Sequence, residues 1–67
     1  MIIVSVNDEK KQFDRVMTVA ELLLECGFMA EKVAVAVNAE FIPRSAYASE
    51  IIKNNDQVDV LAPVQGG

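Results

Sequence analysis

The sequence predicts an α+β domain: a mixed sheet of four to five strands with one main helix packed on one face. Three observations carry this. Segments 2–6, 33–37 and 58–62 either alternate apolar with other residues or run in β-branched residues, as strands do. Only Val19–Cys26 repeats its apolar residues at helical spacing. The chain has 67 residues and 52% hydrophobic content, enough for one small core.

In chain order, Ile2, Val4 and Val6 alternate with Ile3 and Ser5 at the period of a strand. Asn7-Asp8-Glu9-Lys10 supplies turn residues, and a weaker strand over 12–16, anchored by Phe13, closes an antiparallel hairpin. Thr18 then stands three residues before Glu21, the spacing of a capping box, with Met17 placed to pack on Leu22 across the first turn. Val19, Leu22, Leu23 and Cys26 follow at i, i+3, i+4 and i+7, and Gly27 suits the left-handed residue that ends a helix. The spacing predicts a helix over 19–26.

The run Val33-Ala34-Val35-Ala36-Val37 reads as a strand buried on both faces. Asn38-Ala39-Glu40 reads as a turn, and Phe41-Ile42 as a short strand closed by Pro43, which cannot donate to a ladder. Residues 44–52 read as a loop with one helical turn, pinned to the core by Tyr47, Ile51 and Ile52. Lys53-Asn54-Asn55-Asp56 makes a polar turn before the last strand, 58–62. Periodicity places Val4, Val6, Phe13, Val19, Leu22, Leu23, Cys26, Val35, Val37, Val58 and Val60 inward. The opposite parity puts Ile3, Ala36 and Leu61 on the outer face, where an exposed apolar patch is expected to dock a partner.

Composition narrows the function. Ten acidic against six basic side chains give a net charge of −4, which argues against a nucleic-acid partner. No stretch is long and apolar enough for a membrane span, and the first residues lack a basic region and cleavage site of a secretory signal. A single cysteine suits a reducing compartment, so the expectation is a cytoplasmic protein. Cys26 falls on the apolar helix face without a basic neighbour in sequence and reads as a packing residue rather than a sulfur-bearing nucleophile. Arg44 reads as an ordinary surface cation after a proline turn or as a contact for a partner or for the last residues of the chain.

Residues 63–67, Pro-Val-Gln-Gly-Gly, follow the last strand directly. Two of the three glycines close the sequence, a pairing that chance would give in roughly one chain in two hundred at a glycine frequency of about 7%. That rarity weighs against an incidental frayed end. Glycines lack Cβ atoms and can thread a channel closed to other residues. Five extended residues reach about 17 Å. The expectation is a domain over 1–62 carrying a flexible tail, 63–67, that presents an α-carboxylate.

Several segments together resemble the thiamine-biosynthesis sulfur carriers of the ThiS family, within the ubiquitin-like β-grasp group. They are Met17-Thr18-Val19-Ala20-Glu21-Leu22-Leu23, Val35-Ala36-Val37-Asn38, Ile42-Pro43-Arg44-Ser45, Asp56-Gln57-Val58-Asp59-Val60 and Val64-Gln65-Gly66-Gly67. The likeness spans the whole chain, and one position departs from it: Asn54-Asn55 stand where the family usually has a glycine in the turn. The resemblance implies the β-grasp fold and a carrier rather than an enzyme, with no bound cofactor and with the catalytic groups on its partners. A ubiquitin-activating-type adenylyltransferase would use ATP to adenylate the Gly67 carboxylate, with Gly66 and Gln65 passing into its site. A persulfide protein would donate sulfur to give a thiocarboxylate, which thiazole synthase would consume. Two alternatives stay open on the residues: the small subunit of molybdopterin synthase, and a ubiquitin-like modifier conjugated to lysines.

Overall fold

The computed structural model describes residues 1–62. The predicted residues 63–67, with Gln65, Gly66 and Gly67, lie outside the described residues. Among the described residues seven strands form: β1 (Ile2–Val6), β2 (Glu9–Phe13), β3 (Met17–Thr18), β4 (Ala34–Val37), β5 (Glu40–Ile42), β6 (Ile51–Ile52) and β7 (Gln57–Leu61). The helix α1 spans Val19–Cys26, as the periodicity predicts. Five strands make one mixed sheet in the order β2-β1-β7-β4-β5, and β3 pairs with β6 in a second, two-stranded sheet. β7 is therefore central, parallel to β1 and antiparallel to β4.

Both hairpins of the main sheet turn on two residues. Asn7 and Asp8 have φ of 52° and 68°, and Asn38 and Ala39 have 52° and 70°. Left-handed backbone at both turn positions matches the twist of the flanking strands, and Asn or Asp tolerates it where most side chains do not. The first turn is thus tighter than the four-residue turn expected, so β2 begins at Glu9 and ends at Phe13 instead of running over 12–16.

The helix ends are satisfied by local chemistry. Thr18 N–H donates to Glu21 Oε1 at 2.9 Å, and Glu21 N–H donates to Thr18 Oγ1 at 3.2 Å, completing the capping box. The two donors that the box leaves free find the 44–52 segment: Val19 N–H donates to Glu50 C=O and Ala20 N–H to Tyr47 C=O, each at 2.9 Å. Gly27 ends the helix at φ 82°. A Cβ there would meet nothing within 4 Å, so backbone conformation alone asks for glycine.

Val19, Leu22 and Leu23 of α1 are buried on the inner sheet face with Ile2, Val4, Val6, Val35, Val37, Val58 and Val60. Tyr47 and Ile52 join them, as expected, whereas Ile51, expected with them, alternates outward in its strand and is exposed; Met17 and Val33 also join the core. The 44–52 segment is more ordered in type than a loop with one turn. A 3-10 turn over Arg44–Ala46 leads to β6, where Ile52 sits opposite Met17 in a short antiparallel pair. A two-residue strand has no periodicity to read, so only its partner reveals it. Two inward assignments soften: Phe13, at the end of the β2 edge strand, and Cys26, in the last turn of α1, are half-buried and pack against the core from its rim. Ala34 is exposed, so β4 is not buried on both faces along its whole length.

Candidate functional site

The site divides into the root of the 63–67 segment and the sheet face beside it. β7 runs up the middle of the sheet, and Leu61, its last residue, pairs with Ala34 of β4. The chain beyond Ala62 therefore continues from a central strand whose last residue is paired to β4.

The predicted docking residues do not form one patch. Ile3 and Leu61 are exposed at 45% and 52%, as their parity requires, but Ala36 is buried at 6%. Ala36 keeps the outward parity and takes no part in the core cluster. Its single methyl sits on β4, with Asp59 of β7 and Phe41 of β5 opposite it in the two registers. Ile3 is separated from Leu61 along the sheet. Ser5 faces Gln57 in the parallel register, Ile3 lies two residues to one side of that level and Leu61 four to the other. Six residues of strand place them about 20 Å apart.

What does gather around Leu61 is a different group. Ala34 faces Leu61, Ala36 lies two residues along β4 from Ala34, and Phe41 faces Ala36. Phe41 is exposed at 65%. Leu61, Ala34, Ala36 and Phe41 thus share the outer face of β7, β4 and β5 next to the departure point of residues 63–67. Phe41 was missing from the expected patch, yet its signal was in the sequence. A two-residue turn at Asn38-Ala39 forces Val37 opposite Glu40 and Ala36 opposite Phe41, fixing the face of Phe41.

Arg44 is committed within the domain. Its Nε donates to Ala30 C=O at 3.2 Å and its Nη2 to Val33 C=O at 3.1 Å, while Tyr47 Oη donates to the same Val33 oxygen at 3.0 Å. These bonds tie the Arg44–Ala46 turn to the segment entering β4. Cys26 lacks the environment of a reactive thiol: burial pushes its pKa up, and the nearby Lys11 only partly opposes that. Among the described residues, no cluster of His, Cys, Asp or Glu could hold a metal ion. No helix among them is long and apolar enough to cross a membrane.

Comparison with known proteins agrees with this geometry. The crystal structure of a thiamine biosynthesis protein (ThiS) from Geobacter metallireducens superposes with a TM-score of 0.85 at 30% identity, covering 98% of this chain and 100% of that one. The sulfur carrier protein ThiS of Escherichia coli is 31% identical over 61 residues, which are 91% of this chain and 92% of that protein. A thiazole synthase of Paramagnetospirillum magneticum is 39% identical over 62 residues, 92% of this chain. A second thiazole synthase, from Magnetococcus marinus, is 31% identical over 64 residues. This chain spans only about a fifth of those two synthases, 19% and 20% of their lengths. The sequence profile of the ThiS family matches residues 3–67, nearly the full length. The fold is the β-grasp of that structural neighbour, and the chain belongs to the ThiS family.

Proposed function

We propose that this chain is a sulfur carrier for thiazole formation in thiamine biosynthesis, loaded at the carboxylate of Gly67. The observation that carries the reading is the family match, which continues to residue 67 and so includes the glycine pair that follows the central strand. The chemistry gives that pair its purpose. A free carboxylate is a poor acyl donor because oxide does not leave. A Gly67 carboxylate oxygen attacks the α-phosphorus of ATP on an adenylyltransferase of the ubiquitin-activating type, and pyrophosphate departs. The terminal sulfur of a persulfide protein then attacks the acyl carbon and AMP departs. A thiol cleaves the resulting acyl disulfide, forming a new disulfide and leaving the thiocarboxylate on Gly67. The chain itself is the substrate in these steps, while its domain supplies docking and reach.

Thiazole synthase is favoured as the acceptor over molybdopterin synthase, because two relatives that contain this stretch within one longer polypeptide bear the former name. The Leu61–Phe41 face, at the end of β7, is the docking surface, and Gly66 and Gln65 are the residues that enter the partner's channel. A Cβ at position 66 would collide with a channel shaped for glycine, so Gly66→Ala should slow loading without unfolding the domain. The test is ATP–pyrophosphate exchange with the adenylyltransferase, using the native chain, Gly66→Ala and a chain extended by one residue after Gly67. Extension moves the carboxylate by over 3 Å, and a misplacement of about 1 Å can cost a hundredfold in rate. Exchange by the extended chain at the native rate would refute Gly67 as the acyl site.

A further inference from the structure

The strand that leads to the acyl site is tied into the sheet by two asparagine side chains that stand in for backbone carbonyls. In a parallel ladder, a residue donates its N–H to one neighbour across the strand and accepts at its own carbonyl from the residue two further on. Asn7 follows Val6, which faces Val58, and Asn7 N–H donates to Val58 C=O at 2.9 Å. The next bond should run from Val60 N–H to the backbone carbonyl of Asn7. At φ 52°, however, Asn7 has already turned into the β1–β2 connection. Val60 N–H donates instead to the side-chain Oδ1 of Asn7, at 2.7 Å. Asn38 does the same from the other side. At φ 52° it opens the β4–β5 turn, its N–H donates to Gln57 C=O at 2.7 Å, and its Oδ1 accepts from Gln57 N–H at 3.0 Å.

The two ties fall at opposite ends of β7. Asn38 fixes its entry at Gln57, and Asn7 fixes it at Val60, one residue before β7 ends. β1 itself stops at Val6, so the Asn7 amide extends the pairing with β7 beyond the last residue of β1. A slip of one residue along β7 would move everything after it by about 3.3 Å and exchange its two faces. We propose that Asn7 is a positioning residue for acyl transfer at Gly67: its side-chain carbonyl holds Val60, so that the chain leaves the domain at Ala62 from a fixed point, from which the reach to the partner's site is counted. The proposal rests on the carrier reading above.

Two substitutions separate this role from turn formation. Asn7→Gly keeps a residue that favours left-handed backbone and removes the acceptor, whereas Asn7→Asp keeps an acceptor oxygen. Hydrogen exchange of the Val60 amide, measured on the full chain without partners, should accelerate about fivefold in Asn7→Gly, the factor one net hydrogen bond is worth. It should stay near the native rate in Asn7→Asp. With the adenylyltransferase, Asn7→Gly should lower kcat for pyrophosphate exchange severalfold and leave KM for the chain unchanged, because the Leu61–Phe41 face is untouched. Asn7→Asp should restore kcat. A native kcat in Asn7→Gly despite a faster Val60 amide would overturn the positioning role, and an unchanged Val60 amide would overturn the tie itself. Absence of exchange by the native chain would overturn the carrier reading and this role with it. The Val60 result, read without any partner, distinguishes that failure from the others.

Discussion

Phe41→Ala tests the docking face most sharply, because its partner-free cost is small and its expected binding cost is large. A phenylalanine side chain can bury 150–250 Å². At 65% exposure, Phe41 has on the order of 100–150 Å² left to cover. At about 25 cal/mol per Å², full coverage is worth about 3 kcal/mol. Alanine retains one methyl and docking covers the ring incompletely, so we take about 2 kcal/mol, or roughly thirtyfold in Kd. Truncating a residue this exposed on the β5 edge should change folding stability by only about 0.5 kcal/mol. Ile3→Ala is the internal control, since Ile3 lies at the far end of the sheet, past the level where Ser5 faces Gln57. The assay is calorimetric titration of native chain, Phe41→Ala and Ile3→Ala into the adenylyltransferase and into thiazole synthase. Ile3→Ala should bind both like the native chain. Equal weakening by both substitutions would refute the division of the outer face, and native binding by Phe41→Ala would remove that face from docking.

Further outcomes concern stability. Leu22 is fully buried against the sheet, so Leu22→Ala should cost about 3 kcal/mol, read as a lower denaturant midpoint; an unchanged midpoint would contradict its place in the core. Ala39 holds φ 70° in the β4–β5 turn, where glycine avoids the Cβ penalty. Ala39→Gly should therefore stabilise by about 1 kcal/mol, read as a higher Tm. Thr18→Ala should remove about 1 kcal/mol with its cap. The Glu21 carboxyl is held below its ordinary 4.5, chiefly by the Thr18 N–H and with help from Arg15. A depressed folded-state pKa means its contribution is present above about 4.5 and fades as pH falls through the lower folded value. The stability difference between native chain and Glu21→Gln should accordingly shrink in acid, and a difference that grew on acidification would reverse the sign of this linkage.

Much of the fold was legible because its elements announce themselves locally. The capping box at Thr18 and Glu21, the apolar stripe from Val19 and the terminal Gly27 fix α1 without tertiary information. What resisted reading depends on partners. β6 is two residues long and becomes a strand only through Met17–Thr18, and β2 starts early because the Asn7-Asp8 turn is tight. In the site, parity placed Ile3, Ala36 and Leu61 on the outer face but could not show that Ala36, between β7 and β5, is buried there. Nor could it show that register holds Ile3 away from Leu61. Arg44 likewise reads in sequence as a surface cation or a contact and is a brace in the structure, because its acceptors are carbonyls near the start of β4. Asn7 and Asn38 read as turn residues, while their second use as acceptors for β7 depends on strand order.

The central claim is that Gly67 carries sulfur, and intact mass of the chain isolated from thiamine-starved cells tests it most directly. The expected species ends at Gly67 with one carboxylate oxygen exchanged for sulfur. Fragmentation should assign the change to Gly67, and incubation with thiazole synthase and its other substrates should reverse it. Exclusively oxygen-bearing protein from those cells, or sulfur located at Cys26, would contradict the account.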